Sequence, residues 1–189
     1  MTKRKRARAA PLVAILAICA ALCCVGALGY RLFQRQTHPI KYEEYVERYS
    51  QEFGVDKFFV YAVIKTESGF RPEARSNVGA RGLMQIMEQT FDWLKFKQGD
   101  EQAVYYDMYD PETNIRYGCY LLGYLVDEFG SEETAAAAYH AGRGQVNEWL
   151  ADSSISADGV HLDTIPIRDT AHYVNKVEKA KAVYLSLYG

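Results

Sequence analysis

A chain of 189 residues has room for one folded domain and an appendage, which excludes a multidomain machine within it. Its 49% hydrophobic and 13% aromatic content is too high for a disordered polymer. The net charge of -2 hides an uneven split: residues 1–39 carry seven bases and no acid, so 15 bases face 24 acids in residues 40–189, and that net -9 makes nucleic acid a poor partner.

The first predicted element is a membrane helix. Residues 11–30 carry no charge, and at ~1.5 Å per residue they span the ~30 Å of a bilayer core. Five bases precede the run and only Arg31 and Arg35 follow closely, so the positive-inside rule makes residues 1–10 a cytoplasmic tail and 11–30 a single-pass signal anchor with the rest on the extracytoplasmic side. A cleaved signal peptide is the alternative, since Ala27, Leu28 and Gly29 resemble a cleavage site, but the apolar run exceeds the usual ~7–15 residues of a signal core. Residues 31–40 read as a polar linker to a domain over 41–189. Cys19, Cys23 and Cys24 fall in the apolar run, which leaves Cys119 alone in that domain with no disulfide partner. His140, His161 and His172 lack a short ligand spacing, so neither a metal nor a cofactor is expected.

Within the domain the apolar spacing is helical. Tyr42, Tyr45, Val46, Tyr49 and Phe53 follow the i, i+3, i+4, i+7 pattern up to Gly54, and Asp56 caps a second helix running to Glu67 and Ser68. Residues 69–82 hold too many helix breakers for a regular element and predict a structured loop. Helical patterns resume over 90–96, then from Asp110-Pro111 to Gly130, from Ser131 to Gly142, over 145–150 and over 169–188. No confident strand emerges, so the fold class is mainly α, with irregular loops that line a groove.

Glu67 stands out for its chemistry, because Val63 and Ile64 are its i-4 and i-3 neighbours on an apolar helix end. Partial burial there raises a carboxyl pKa, as a general acid for glycosidic cleavage requires; taken by position alone, the residue reads as an exposed helix-end glutamate.

The segment Glu67-Ser68-Gly69-Phe70 followed by Ser76-Asn77-Val78-Gly79-Ala80-Arg81-Gly82-Leu83-Met84-Gln85-Ile86-Met87 resembles the lytic transglycosylase family 1, Slt-type domain of goose-lysozyme-like fold. The likeness continues through Asp110-Pro111-Glu112-Thr113-Asn114-Ile115, Ala138-Tyr139-His140-Ala141-Gly142 and the block from Ile165 to Val174, covering about residues 45–188. It implies cleavage of the β-1,4 bond between N-acetylmuramic acid and N-acetylglucosamine in peptidoglycan, with Glu67 as sole catalytic carboxylate, acid first and base afterwards, closing a 1,6-anhydro ring. By the same resemblance Ser76 and Gln85 line the sugar site, while Gly79, Gly82 and Met84 form the groove wall. Tyr139 supplies a hydroxyl that orients Glu67 or stabilises positive charge on the sugar. Met84 and Ile86 serve equally well as plain packing residues, and Tyr139 as a core aromatic. His140 stands where the family commonly has Asn, Glu88 where it has Pro and Asp169 where it has Glu; His140 and Asp169 are the expected supporting residues. A muramidase of the same fold and a non-catalytic peptidoglycan-binding module of an envelope complex are the alternative functions, and a monomer is the default state.

Overall fold

The structure is a computed structural model that describes the backbone of residues 3–189 and side chains from residue 14 onward. It forms two units, residues 1–39 and 40–189. The first is a single helix, α1 (Lys3–Thr37), which continues through the polar residues 31–37. Its stretch Ala14–Thr37 is 24 residues long with a mean hydropathy of 2.0, long and apolar enough to cross a bilayer. The basic side chains expected to form the cytoplasmic tail lie outside the described residues.

The second unit is helical: α2 (Glu43–Glu52), α3 (Lys57–Glu67), α4 (Glu88–Gln98), a 3-10 turn over Tyr105–Tyr109, α5 (Pro111–Phe129), α6 (Glu132–Ala141), α7 (Arg143–Ala151) and α8 (Arg168–Tyr188). Local chemistry sets these boundaries. The Asp56 carboxylate accepts from the amides of Phe58 and Phe59 at 2.9 Å, Asp110 accepts from Thr113 at 2.8 Å with Pro111 at the first helical position, and Ser131 caps α6 through Thr134. Gly130 closes α5 in the left-handed conformation that glycine adopts without a Cβ clash. The 3-10 turn is the one element that the apolar pattern did not mark.

The middle of the unit is α3, where seven consecutive residues from Phe58 to Ile64 are buried. A helix that is apolar all round needs cover on every side. It packs against α2 and α8, while α6 lies against α5 and α8. At its C-terminal end the chain leaves the core, so Glu67 sits where packed apolar side chains give way to a groove.

The irregular segment between α3 and α4 is tied to α5 by one buried amide. Asn114, on the first turn of α5 and fully buried, accepts from the Met84 amide at 2.8 Å and donates to the carbonyls of Met108 and Arg81 at 2.9 and 3.1 Å. Gly82 lies directly against it with φ +79°; a Cβ there would come within 2.0 Å of the Met108 carbonyl and 2.2 Å of the Asn114 amide nitrogen. Replacing Asn114 by Ala strips three backbone groups of their partner, and it is expected to cost about 2–4 kcal/mol of stability, read as a lower urea midpoint at unchanged slope.

Candidate active site

Glu67 opens onto a recess of about 700 Å³ that is also lined by Phe70, Arg71, Glu73, Ser76 and Gln85. Burial pushes its carboxyl up from the ordinary range to about 7, and interaction with Tyr173 opposes that rise. The Tyr173 hydroxyl is itself buried, and it makes no hydrogen bond of normal geometry with any group, so its approach to Glu67 is a long or bent one. A donor in that place holds the carboxyl without depriving it of its proton near neutrality. Tyr139 completes the surroundings: burial and the nearby Glu67 charge raise its pKa, as they do for Tyr173, so both hydroxyls stay protonated.

The loop that forms the recess wall carries two non-glycine residues in the left-handed region, Phe70 at φ 64° and Gln85 at φ 50°. Each conformation is sparsely populated for such residues and must be held by its surroundings. Phe70 is held by burial against Tyr61, with ring centroids 6.3 Å apart. Gln85 is held by its amide nitrogen, which donates to the carbonyls of Ala74 and Gly82 at 3.1 and 2.8 Å.

The expected site residues divide into three groups. Ser76 and Gln85 share the recess with Glu67. The Ser76 hydroxyl accepts from the Ala80 amide at 3.0 Å, which leaves its proton free to donate, whereas the Gln85 amide nitrogen is spent on the loop and only its carbonyl oxygen remains for a ligand. Gly79 does not line the recess; it turns the loop behind Ser76, with φ +95° and its carbonyl accepting from Tyr105 at 2.7 Å. Met84 differs from a groove-wall residue. Its side chain is fully buried and fills the notch left by Gly118, where a Cβ would fall 2.1 Å from the Met84 sulfur. What it lends the site is its carbonyl, which accepts from the Tyr139 hydroxyl at 2.6 Å. The Tyr139 proton is thereby committed, so Tyr139 offers Glu67 and any ligand only oxygen lone pairs.

His140 and Asp169 lie outside the recess. The exposed His140 ring rests 4.6 Å from the Tyr173 ring, centroid to centroid, and its Nδ1 meets the Thr170 hydroxyl at 3.0 Å. Burial lowers its pKa and Asp169 opposes this. Asp169 lines a separate recess with Arg168, His172 and Asn175. Glu88 is an exposed first-turn residue of α4. Sequence reasoning missed Tyr173 and Asn114, both of which stand inside matched blocks but were given no role. Among the described residues, no cluster of His, Cys, Asp and Glu could hold a metal ion.

The family model described as the Transglycosylase SLT domain matches residues 44–160. The soluble lytic murein transglycosylase of Salmonella typhimurium is 34% identical over 154 residues, which is 80% of this chain and 24% of that one. The membrane-bound lytic murein transglycosylase C of Edwardsiella ictaluri is 36% identical over 118 residues, covering 56% of this chain and 32% of that one. The crystal structure of the 70-kDa soluble lytic transglycosylase from Escherichia coli superposes with a TM-score of 0.72 at 30% identity, covering 82% of this chain and 26% of that chain. The chain thus spans about a quarter of the length of the curated soluble relatives it matches.

The raised Glu67 pKa has a measurable cost. Between the ordinary carboxyl value of 4.5 and about 7, the folded state keeps a proton that the unfolded state releases, so stability falls as pH rises through that window and the penalty is complete above it. Glu67→Gln, neutral in both states, is therefore expected to exceed the wild type by up to about 3 kcal/mol above pH 7 and to match it below pH 4.5, as read from paired urea titrations.

Proposed function

Because the chain belongs to the transglycosylase SLT family, we propose that it cleaves the β-1,4 bond between N-acetylmuramic acid and N-acetylglucosamine in peptidoglycan, with Glu67 as the single acid and base. The observation that carries this reading is a carboxyl group held protonated near neutrality at the edge of a recess large enough for sugar. Glu67 gives its proton to the glycosidic oxygen as the bond to C1 of the muramyl residue breaks. The acetamido carbonyl oxygen of that residue closes onto C1 and carries the positive charge, supported by the lone pairs of Tyr139. Glu67, now a carboxylate, takes the proton of the C6 hydroxyl; O6 attacks C1, the acetamido group is released, and a 1,6-anhydro ring forms with no water consumed. Glu67 ends protonated, ready for the next bond.

This scheme needs one carboxylate, and Glu67 is the one that the fold buries. Glu73 on the rim of the recess is the observation that favours a second reading, hydrolysis by a water activated opposite the acid. The two readings differ in product, since transglycosylation leaves anhydro ends lighter by one water than the reducing ends left by a muramidase.

The same proposal places the enzyme on a membrane. The apolar stretch Ala14–Thr37 serves as a single-pass anchor, with the basic residues 1–10 on the cytoplasmic side and residues 40–189 outside, where peptidoglycan lies. A relative named as membrane-bound supports this arrangement. A monomer suffices, because Glu67, Tyr139 and Tyr173 all come from one chain.

The full chain in detergent is expected to release 1,6-anhydro-muramic products from peptidoglycan, identified by mass spectrometry, with kcat/KM declining as pH rises through about 7 because the acid loses its proton. Glu67→Gln should retain glycan binding and lose roughly 10³-fold in kcat. Reducing ends in place of anhydro ends would decide for the muramidase, and wild-type activity in Glu67→Gln would remove Glu67 from its role.

A further inference from the structure

The rim of the Glu67 recess holds two arginines that form no ion pair among the described residues. Seven arginines occur in residues 40–189. Arg48 pairs with Glu44 and Glu112, Arg116 with Asp100 and Arg143 with Glu128. Arg81 lies 4.0 Å over the Tyr105 ring, and Arg168 lines the separate recess that holds Asp169. Arg71 and Arg75 form no ion pair among the described residues, and both line the recess. In a unit with 24 acids for 15 bases, a carboxylate partner is easily found, so two guanidinium groups left without one beside the catalytic residue are presented to an anion from outside. Arg71 is also aimed. Its Nε donates to the Ser68 carbonyl at 2.8 Å, which fixes the guanidinium one residue from Glu67 and leaves its terminal N–H groups for a ligand.

We propose that Arg71 and Arg75 bind carboxylates of the peptide stems carried by muramic acid, so that the recess selects glycan bearing peptides over bare glycan. The inference rests on the catalytic reading of Glu67. A stem joins the lactyl group at C3 of the muramyl residue whose C1 is attacked, so its first residues lie within a few bonds of the reaction and fall beside Glu67. These stems carry free carboxylates, and those with a diamino acid also carry an ammonium, for which Glu73 on the same rim is the matching charge. The source of the anion is therefore the substrate itself, and a guanidinium fork suits a carboxylate better than a point charge does.

The test compares kcat/KM of the full chain in detergent on peptide-bearing glycan strands and on the same strands stripped of peptides by an amidase. The ratio of the two values is the readout. With both Arg71→Gln and Arg75→Gln in place, the ratio is expected to fall about tenfold, chiefly through KM on the peptide-bearing strands, and paired lysine replacements should restore part of it. Since Arg71 also supports the turn after α3, Arg75→Gln alone is measured beside the pair, and its ratio should fall about threefold with an unchanged melting temperature. A ratio unmoved in folded variants, while the wild type cleaves both substrates, overturns the stem-binding role alone. A wild type that cleaves neither substrate overturns the catalytic reading and this inference with it.

Discussion

The site depends on the side-chain amide of Asn114. The glycine-rich loop has only isolated bridges of its own, between Arg75 and Arg81 and between Arg81 and Ile86, and its other buried backbone groups need partners as much as those of a helix do. Asn114 supplies three of them from one planar group, tying the Met84 amide, the Arg81 carbonyl and the Met108 carbonyl to the first turn of α5. Its position requires a neighbour without a Cβ, which Gly82 provides. With the loop fixed, the Met84 carbonyl has a defined direction, Tyr139 has an acceptor for its proton, and Gln85 is held in a left-handed conformation that an unsupported loop would leave. The recess wall is therefore fastened to α5, although it is almost devoid of regular structure.

Beside this wall stands a carboxyl group that the fold does not favour in its charged form. The apolar stretch Phe58 to Ile64 of α3 delivers Glu67 to the boundary of the core, where lost hydration raises its pKa. A more exposed glutamate would be a stronger acid, already ionised at neutrality and unable to give a proton to a sugar oxygen. A more deeply buried one would keep its proton and be a poor base in the second half of the cycle. A value of about 7 suits one group to both steps of the proposed cycle.

Much of the fold was legible because its signals are local. Asp56, Asp110 and Ser131 cap the helices whose first turns they precede, and Gly130 ends α5 where glycine is the residue that costs least. The 3-10 turn at Tyr105–Tyr109 has too few residues to show a period. Glu67, Ser76 and Gln85 were legible through their shared block, not through periodicity. Met84 shows the limit of that reading: in an irregular loop the sequence does not say which way a side chain points, and here the thioether enters the notch at Gly118 while only the carbonyl serves the site. Tyr173 stands 106 positions from Glu67, and its hydroxyl meets the carboxyl solely because α8 packs along α3. Asn114 looked like an ordinary early residue of a helix. Its role appears only when the loop from thirty residues earlier is placed against it.

Arginines beside a general acid raise an objection of principle, because a guanidinium close to a carboxyl favours its charged form and lowers its pKa. Arg71 and Arg75 line the same recess as Glu67, yet the influences on Glu67 are burial, which raises its pKa, and Tyr173, which opposes it; neither arginine is among them. The distinction lies in solvent. Glu67 is largely enclosed, whereas both arginines are exposed on the rim, where water and counterions reduce their field at the carboxyl. They can attract an anionic substituent at the mouth of the recess without ionising the acid at its edge. In the proposed complex, the sugar that displaces water from the recess would remove more hydration from Glu67. That change would favour the protonated form at the moment when, in the proposed cycle, the glycosidic oxygen needs a proton, so substrate binding and the burial of Glu67 would act in the same direction.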